Sequence, residues 1–294
     1  MIYANFFEFF LCIWHKFCNF AAEKYKLFTY YKNMATKTNY ALVTGASSGI
    51  GLELAKGLAK RGYNLLIVSN VREINNAAVQ IQNENPSIRI IPLVRDLSLQ
   101  NAARELYEYT RANEITIDVL VNNAGVYHDR DILDDSEAFT SLILNLHMYT
   151  PAMLCYLFGQ DMRTRKHGYI LNVCSVTSKI VAQRLGTYAS TKSFLAAFTR
   201  SLHIELKPYG VYVTNVSPGA VDTGLFSIPK WVTKAGKCLG IIASPQMLSR
   251  RALWALFHGW SKVTVPAVFW HILCFIILLI PTCVLRLIRR LGWF

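Results

Sequence analysis

The 294-residue chain is short of acid: 18 Asp and Glu stand against 31 Lys and Arg, a formal net charge of +13. A balance this basic suits an anionic ligand, an anionic membrane surface or nucleic acid. No known nucleic-acid-binding motif is present, so no nucleic-acid partner is expected. The C-terminal third is notably basic, with Lys230, Lys234, Lys237, Arg250, Arg251, Lys262, Arg286, Arg289 and Arg290 among its residues. They lie beside apolar segments, which favours attraction to a membrane surface over a merely solvated basic face. Paired cysteines are also missing. Cys12, Cys18, Cys155, Cys174, Cys238, Cys274 and Cys283 make no CxxC and no zinc-ligand spacing. They read as reduced thiols in a cytosolic protein rather than a disulfide framework. The seven histidines are dispersed and form no HExxH, so no metal site is expected. Internal repeats and low-complexity linkers are absent as well.

What is abundant is apolar surface. The hydrophobic fraction is 53%, against about 45–50% for soluble globules, and the excess gathers at the two ends. Residues 1–37 form an N-terminal extension. Its apolar run, Phe6 to Trp14, is interrupted by Glu8 and followed by His15 and Lys16. It is too short to span a bilayer, which takes about 20 mostly apolar residues. It also lacks the basic start and small-residue cleavage site of a signal peptide. Either it is an amphipathic surface anchor or the natural protein starts at Met34, where MATKTNYALVTGA leads into the first strand. At the other end, residues 263–294 form an apolar segment with a basic tail. Residues 265–285 contain no Lys, Arg, Asp or Glu, and Arg286, Arg289 and Arg290 follow at once. The length suits a membrane span, while Pro266, His271 and Pro281 suit a one-leaflet or re-entrant segment. A buried core helix is the plainer reading, weakened because such helices are rarely apolar on every face.

Between the ends, residues 38–262 read as one domain. Continuous runs rich in Val, Ile and Leu fall at 40–44, 64–69, 88–94, 117–121, 168–174 and 211–216. Longer amphipathic segments separate them, for example 50–61, 98–112 and 190–207. Continuous apolar strands alternating with helices predict an α/β fold, a doubly wound parallel sheet covered on both faces.

The first predicted strand runs into TGASSGIG, residues 44–51, in which Gly45, Gly49 and Gly51 have GxxxGxG spacing. One glycine permits a tight turn, one lets a pyrophosphate approach the backbone and one lets helix and strand pack closely. The helix opening near Ser48 would aim free N–H groups and its positive dipole end at the phosphates. The strand-turn-helix context separates this from an ordinary βα turn, and the absence of GK[ST] excludes a Walker-type loop. At the end of the second strand, an acid would bond the ribose 2′-OH of NAD, and a base would receive the 2′-phosphate of NADP. Here stand Ser69, Asn70, Val71 and Arg72. With no acid present and Arg72 in reach, NADP(H) is expected over NAD(H).

Tyr188 and Lys192 form YxxxK, which puts both side chains on one helix face. A free phenol titrates near pH 10 and is a poor proton shuttle at neutrality. A neighbouring ammonium should lower that value. Ser175 ends a predicted strand in NVCS and could polarise a substrate oxygen. Asn145 is a polar residue in the apolar stretch LILNLHMYT, suited to holding a water that relays protons to Lys192. Each residue alone has a dull alternative as surface decoration or a capping amide; the joint arrangement is what counts.

TGASSGIG at 44–51, NNAG at 122–125, Asn145, Ser175, YASTK at 188–192 and SPGAVDT at 217–223 occur in that order. The chain closely resembles the short-chain dehydrogenase/reductase family over roughly residues 38–225. The resemblance implies a Rossmann-like fold and a catalytic tetrad at Asn145, Ser175, Tyr188 and Lys192. It also implies cofactor contacts at Gly45, Ser47, Ser48, Gly49, Ile50, Gly51, Asn70, Arg72, Asp96 and Leu97. Asn123, Ala124, Gly125, Tyr188, Lys192, Pro218, Gly219, Val221 and Thr223 complete that set. Family members often form dimers or tetramers through the helices bearing Asn145 and Tyr188. Two departures stand out: Asn70 where NADP-preferring relatives often have Arg, and Cys174 in place of the more usual Ser.

The implied reaction passes hydride between the nicotinamide and a carbonyl or alcohol, with Tyr188 transferring the proton. The region that shapes the substrate pocket in this family carries Leu225, Phe226, Ile228, Trp231, Ile241 and Ile242 and runs into the apolar segment. The fragment IELKPYGVYVTNVSPG resembles membrane-bound reductases of 3-ketosphinganine and of long-chain 3-ketoacyl thioesters. A lipophilic keto substrate is therefore expected, on a membrane-associated protein whose catalytic domain faces the cytoplasm. Hydroxysteroid dehydrogenases share these traits. An idle NAD(P)-binding scaffold would not need the intact tetrad, and a nucleotide-sugar epimerase would show GxxGxxG.

Overall fold

Tyr40–Thr44 (β1), Asn64–Ser69 (β2), Ile90–Val94 (β3), Ile117–Asn122 (β4), Gly168–Val173 (β5) and Val211–Pro218 (β6) are the strands that the apolar runs predict. A computed structural model describes residues 39–127, 129–180, 184–222, 234, 236 and 241–266. The N-terminal extension, Thr223 and the apolar stretch beyond Pro266 lie outside the described residues. So do Leu225, Phe226, Ile228 and Trp231.

The helices are Gly49–Ala59 (α1), Ile74–Glu84 (α2), Ala102–Ala112 (α3), Glu137–Leu144 (α4), Thr150–Arg165 (α5), Gly186–Leu206 (α6) and Pro245–Phe257 (α7). Short strands β7 (Ala220–Val221) and β8 (Ile242–Ala243) pair with each other. A final strand, β9 (Lys262–Val265), joins the main sheet. The sheet order is β3-β2-β1-β4-β5-β6-β9, and every neighbouring pair is parallel.

Strand side chains alternate between two cores, which is why no polar alternation marks the sequence. Ala41 and Val43 pack with Leu54, Leu58, Ile74, Ile81, Leu248 and Leu253 of α1, α2 and α7. Tyr40 and Leu42 face the other way, with Leu106, Leu154, Phe158, Met162 and Leu206 of α3, α5 and α6. Burying one such leucine stabilises the fold by about 1.5–3 kcal/mol.

β9 crosses the boundary expected at residue 262. Asn215, Val216, Ser217 and Pro218 of β6 pair with Lys262, Val263, Thr264 and Val265. Val265, the first residue of the charge-free stretch, is fully buried in this sheet. Among the described residues, one stretch, Glu137–Arg165, is long and apolar enough to cross a membrane. Half of its apolar window is buried inside the fold. It packs on α3, α6 and the sheet, so its hydrophobicity serves the core.

The chain runs outward from β1 to β3 on one side, then returns to build β4, β5, β6 and β9 on the other. The strand order reverses between β1 and β4. In such sheets, ligands bind at the carboxyl ends of the strands, at that reversal.

Candidate active site

The turn after β1 is built around backbone that an L side chain resists. Gly45 and Gly49 have φ of +65° and +57°. A Cβ on Gly45 would lie 2.8 Å from Ala124 Cα. A Cβ on Gly51 would overlap the Gly45 carbonyl and lie 2.5 Å from Asn123 Nδ2. Gly51 thus lets α1 close onto the end of β1. Ser48, the residue before α1, is extended and its side chain accepts no hydrogen bond from the helix. The first-turn N–H groups and the positive helix end remain directed at the cleft, as an anion site requires.

NNAG pins this turn. Asn123 Nδ2 donates to the carbonyls of Thr44 and Gly45, at 2.9 and 3.0 Å. The backbone N–H groups of Asn123 and Ala124 both donate to Thr44 Oγ1 at 3.0 Å. Ser69 Oγ donates to Ser47 Oγ at 3.1 Å, joining the turn to the end of β2.

The cleft beside the turn has a volume of about 640 Å³, within the range of small-molecule and cofactor sites. Gly45, Ser47, Ser48, Gly49, Ile50 and Gly51 line one end, with Asn70, Asp96, Leu97, Asn123, Ala124 and Gly125 beside them. Ser175, Tyr188, Lys192, Pro218, Gly219 and Val221 line the other. The glycine cradle, the free helix end and this elongated lining fit a dinucleotide.

Arg72 is not part of that lining. It is exposed beyond the end of β2, and Arg95 lines the cleft instead. The reason is register. Ser69 pairs with Val94 across β2 and β3, so the residue after β3 emerges beside the end of β2. Arg95 N–H donates to the Ser69 carbonyl at 2.8 Å, and Nη1 donates to the Val94 carbonyl at 3.0 Å. Asp96 follows, its Oδ1 accepting from the backbone N–H and hydroxyl of Ser98 at 2.9 and 2.7 Å.

At the other end, β5 delivers Ser175 and α6 delivers Tyr188 and Lys192. Ser175 and Lys192 are buried. Ser175 Oγ accepts from Thr177 Oγ1 at 2.8 Å and from the Thr177 N–H at 3.2 Å. Ser175 shares the lining of the cleft with Tyr188. Lys192 Nζ donates to the Val173 carbonyl at 3.0 Å and lies 5.8 Å from the centroid of the Tyr188 ring. The expected acidic phenol is not found. Burial pushes Tyr188 up to about 12, against the opposing pull of the neighbouring Ser175 hydroxyl. Burial likewise pushes Lys192 down to about 8. Desolvation penalises both charged forms, so the phenol keeps its proton and is poised to donate it. Cys174, also pushed up to about 12 by burial, stays a neutral thiol.

Asn145 lines neither this cleft nor the small chamber behind Lys192. It begins a π turn, Asn145–Tyr149, in which the Thr150 N–H donates to the Asn145 carbonyl. Sequence reading overlooked three neighbours. Tyr127 packs edge-on to Tyr188 at 5.5 Å between centroids, Thr177 holds Ser175, and His147 lies 5.7 Å from the Tyr188 ring. The aromatic directly after NNAGV was the available signal for Tyr127. Among the described residues, no three His, Cys, Asp or Glu side chains are grouped to hold a metal ion.

Residues 39–230 match the family model for short chain dehydrogenase. A very-long-chain 3-oxoacyl-CoA reductase from Mycosarcoma maydis is 30% identical over 223 residues, covering 71% of this chain and 63% of that protein. The chain therefore spans less than two thirds of that relative's length. The oxidoreductase YmfI from Bacillus subtilis (strain 168) is 35% identical over 234 residues, 76% of this chain and 93% of that one. A short-chain dehydrogenase from Sphingobium yanoikuyae, solved in complex with NADPH, shares the fold. Its TM-score is 0.69 at 24% identity, over 78% of this chain and 88% of that chain. With the family model matched across the glycine turn, the cleft and α6, the chain belongs to the short-chain dehydrogenase family and is an oxidoreductase working with a nicotinamide cofactor.

Proposed function

We propose that the chain reduces the carbonyl of a long-chain 3-keto lipid, such as 3-ketosphinganine or a 3-ketoacyl thioester, with NADPH. The observation that carries the reaction is the meeting of Tyr188, Ser175 and Lys192 at one end of the cleft. The reduced nicotinamide, when bound, supplies a hydride to the carbonyl carbon. Ser175 bonds the carbonyl oxygen and polarises it. Tyr188 gives that oxygen its proton, so that a secondary alcohol leaves. Lys192 stands beneath the Tyr188 ring, where its ammonium steadies the phenolate until a proton returns.

The lipid class rests on two supports. The name of the Mycosarcoma maydis relative is that of a very-long-chain 3-oxoacyl-CoA reductase. Val265, the first residue of the charge-free stretch, also lies beside the cleft: the Gly219 N–H donates to its carbonyl at 2.9 Å, and Gly219 lines the cleft. A membrane attached through that stretch would hold the cleft close to a bilayer, the catalytic domain on the cytoplasmic side. NADPH consumption with each substrate in detergent micelles tests the reading, wild type against Tyr188→Phe. Turnover on the long-chain ketones that falls at least 100-fold in the variant supports it. Faster turnover on short polar ketones sinks the lipid assignment.

Arg95 is the proposed reader of the 2′-phosphate, since Asn70 supplies no acid and Arg95, unlike Arg72, lines the cleft. A hydrogen bond to a charged group contributes about 1.5–3 kcal/mol. Arg95→Ala should therefore raise KM for NADPH roughly 10- to 100-fold and leave KM for NADH nearly unchanged. Equal effects on both cofactors would refute this role.

A further inference from the structure

His147 is fully buried two residues into the π turn, and the reaction as described does not use it. Its hydrogen bonds admit one tautomer. The Val126 N–H donates to Nε2 at 2.9 Å, so Nε2 is an acceptor. Nδ1 then carries the proton and donates to Thr191 Oγ1, 3.1 Å away. Thr191 Oγ1 spends its own proton on the Tyr188 carbonyl at 2.8 Å. The chain of donors thus runs in one direction from the loop after NNAG, through the imidazole, to the backbone of the proton donor.

Packing closes the same connection. A Cβ on Gly125 would lie 2.9 Å from His147 Nε2 and 3.6 Å from Lys192 Nζ. His147 and Lys192 both line the small chamber behind the cleft. Burial first, and then the Lys192 charge, hold the imidazole well below its ordinary range, so it stays a neutral acceptor at Nε2 throughout the working pH range.

We propose that His147 is a positioning residue that clamps the cofactor loop at Val126 to the catalytic helix at Thr191 and Tyr188. It rests on the reading of Tyr188 given above. A displacement of about 1 Å in a reacting group can cost on the order of 100-fold in rate, so the clamp belongs to the chemistry as well as to the fold.

Two variants each keep one half of the clamp. In His147→Gln the amide oxygen reaches the place of Nε2 and can accept from Val126. In His147→Asn the amide nitrogen stands near Nδ1 and can donate to Thr191. His147→Leu keeps neither. In the full chain, NADPH affinity is read by fluorescence titration, and kcat and KM by NADPH consumption with the long-chain ketone. NADPH affinity should stay within about threefold of wild type in the Gln variant and fall about tenfold in the Asn and Leu variants. The Leu variant should also lose 10- to 100-fold in kcat. If the Leu variant does not fold, the Gln and Asn pair still decides the matter. A lower melting temperature with kcat, KM and NADPH affinity all unchanged would overturn the proposal. If Tyr188→Phe keeps its activity, the failure belongs to the reaction reading; if only the His147 series is silent, it belongs to the clamp.

Discussion

Tyr188 and Lys192 illustrate how little a side chain's ordinary chemistry says once it is buried. One turn of helix separates them, and charge attraction alone would acidify the phenol. Desolvation wins instead: the phenol moves up to about 12 and the amine down to about 8. At neutral pH the phenol is uncharged, while the amine still carries its proton but gives it up more readily than a free lysine. The linkage for Lys192 has a definite sign. Its folded pKa lies below the unfolded value, so the unfolded chain holds more protons between about pH 8 and 10, and stability rises with pH there. Above pH 10 the unfolded tyrosine also ionises and Tyr188 begins to pull the other way. Urea titrations from pH 7 to 10 should show wild type gaining stability relative to Lys192→Met, chiefly above pH 8. A constant difference between the two proteins across that range would contradict the depressed amine.

The first strand-turn-helix unit was fully legible because its constraints are local. Glycine is required where φ is positive and where α1 closes on β1, and both demands act within eight residues of sequence. Gly51→Ala should push α1 away from the Gly45 carbonyl and weaken NADPH binding at least tenfold in a fluorescence titration; unchanged affinity would show that the turn can relax without harm. Leu54 on the same helix is fully buried against β1. Leu54→Ala should cost about 2–5 kcal/mol of unfolding free energy, measured by urea denaturation. Other elements were less legible. β9 begins on Lys262 and merges into the charge-free run, so its four residues read as part of the apolar tail. The π turn at Asn145–Tyr149 inserts an extra residue into a helical pattern, and the side chain it turns inward is His147, not the amide that the apolar context marked out.

On the scale of the whole molecule, the strand order brings together segments far apart in the chain. The reversal between β1 and β4 sets the glycine turn beside NNAG, and β5 and α6 supply the proton-transfer end. The helices that carry Asn145 and Tyr188 also expose apolar side chains: Tyr149, Tyr156, Phe194 and Ile204. Pairing of two copies through these faces would cover them. Phe194→Glu combined with Ile204→Glu should lower the mass measured by light scattering, and an unchanged mass would exclude this face as the contact.

By itself the sequence determined the α/β class, the places of the first six strands, the glycine cradle and the Ser175, Tyr188 and Lys192 set. Each of these is written in short-range pattern: continuous apolar runs, glycines at a turn, two residues one helical turn apart. Only the tertiary structure decided that Arg95 and not Arg72 reaches the cleft, because the register of β2 against β3 sets that choice. It also decided that the Tyr188 phenol shifts up and not down, because burial is a property of the whole packed core and no local spacing encodes it.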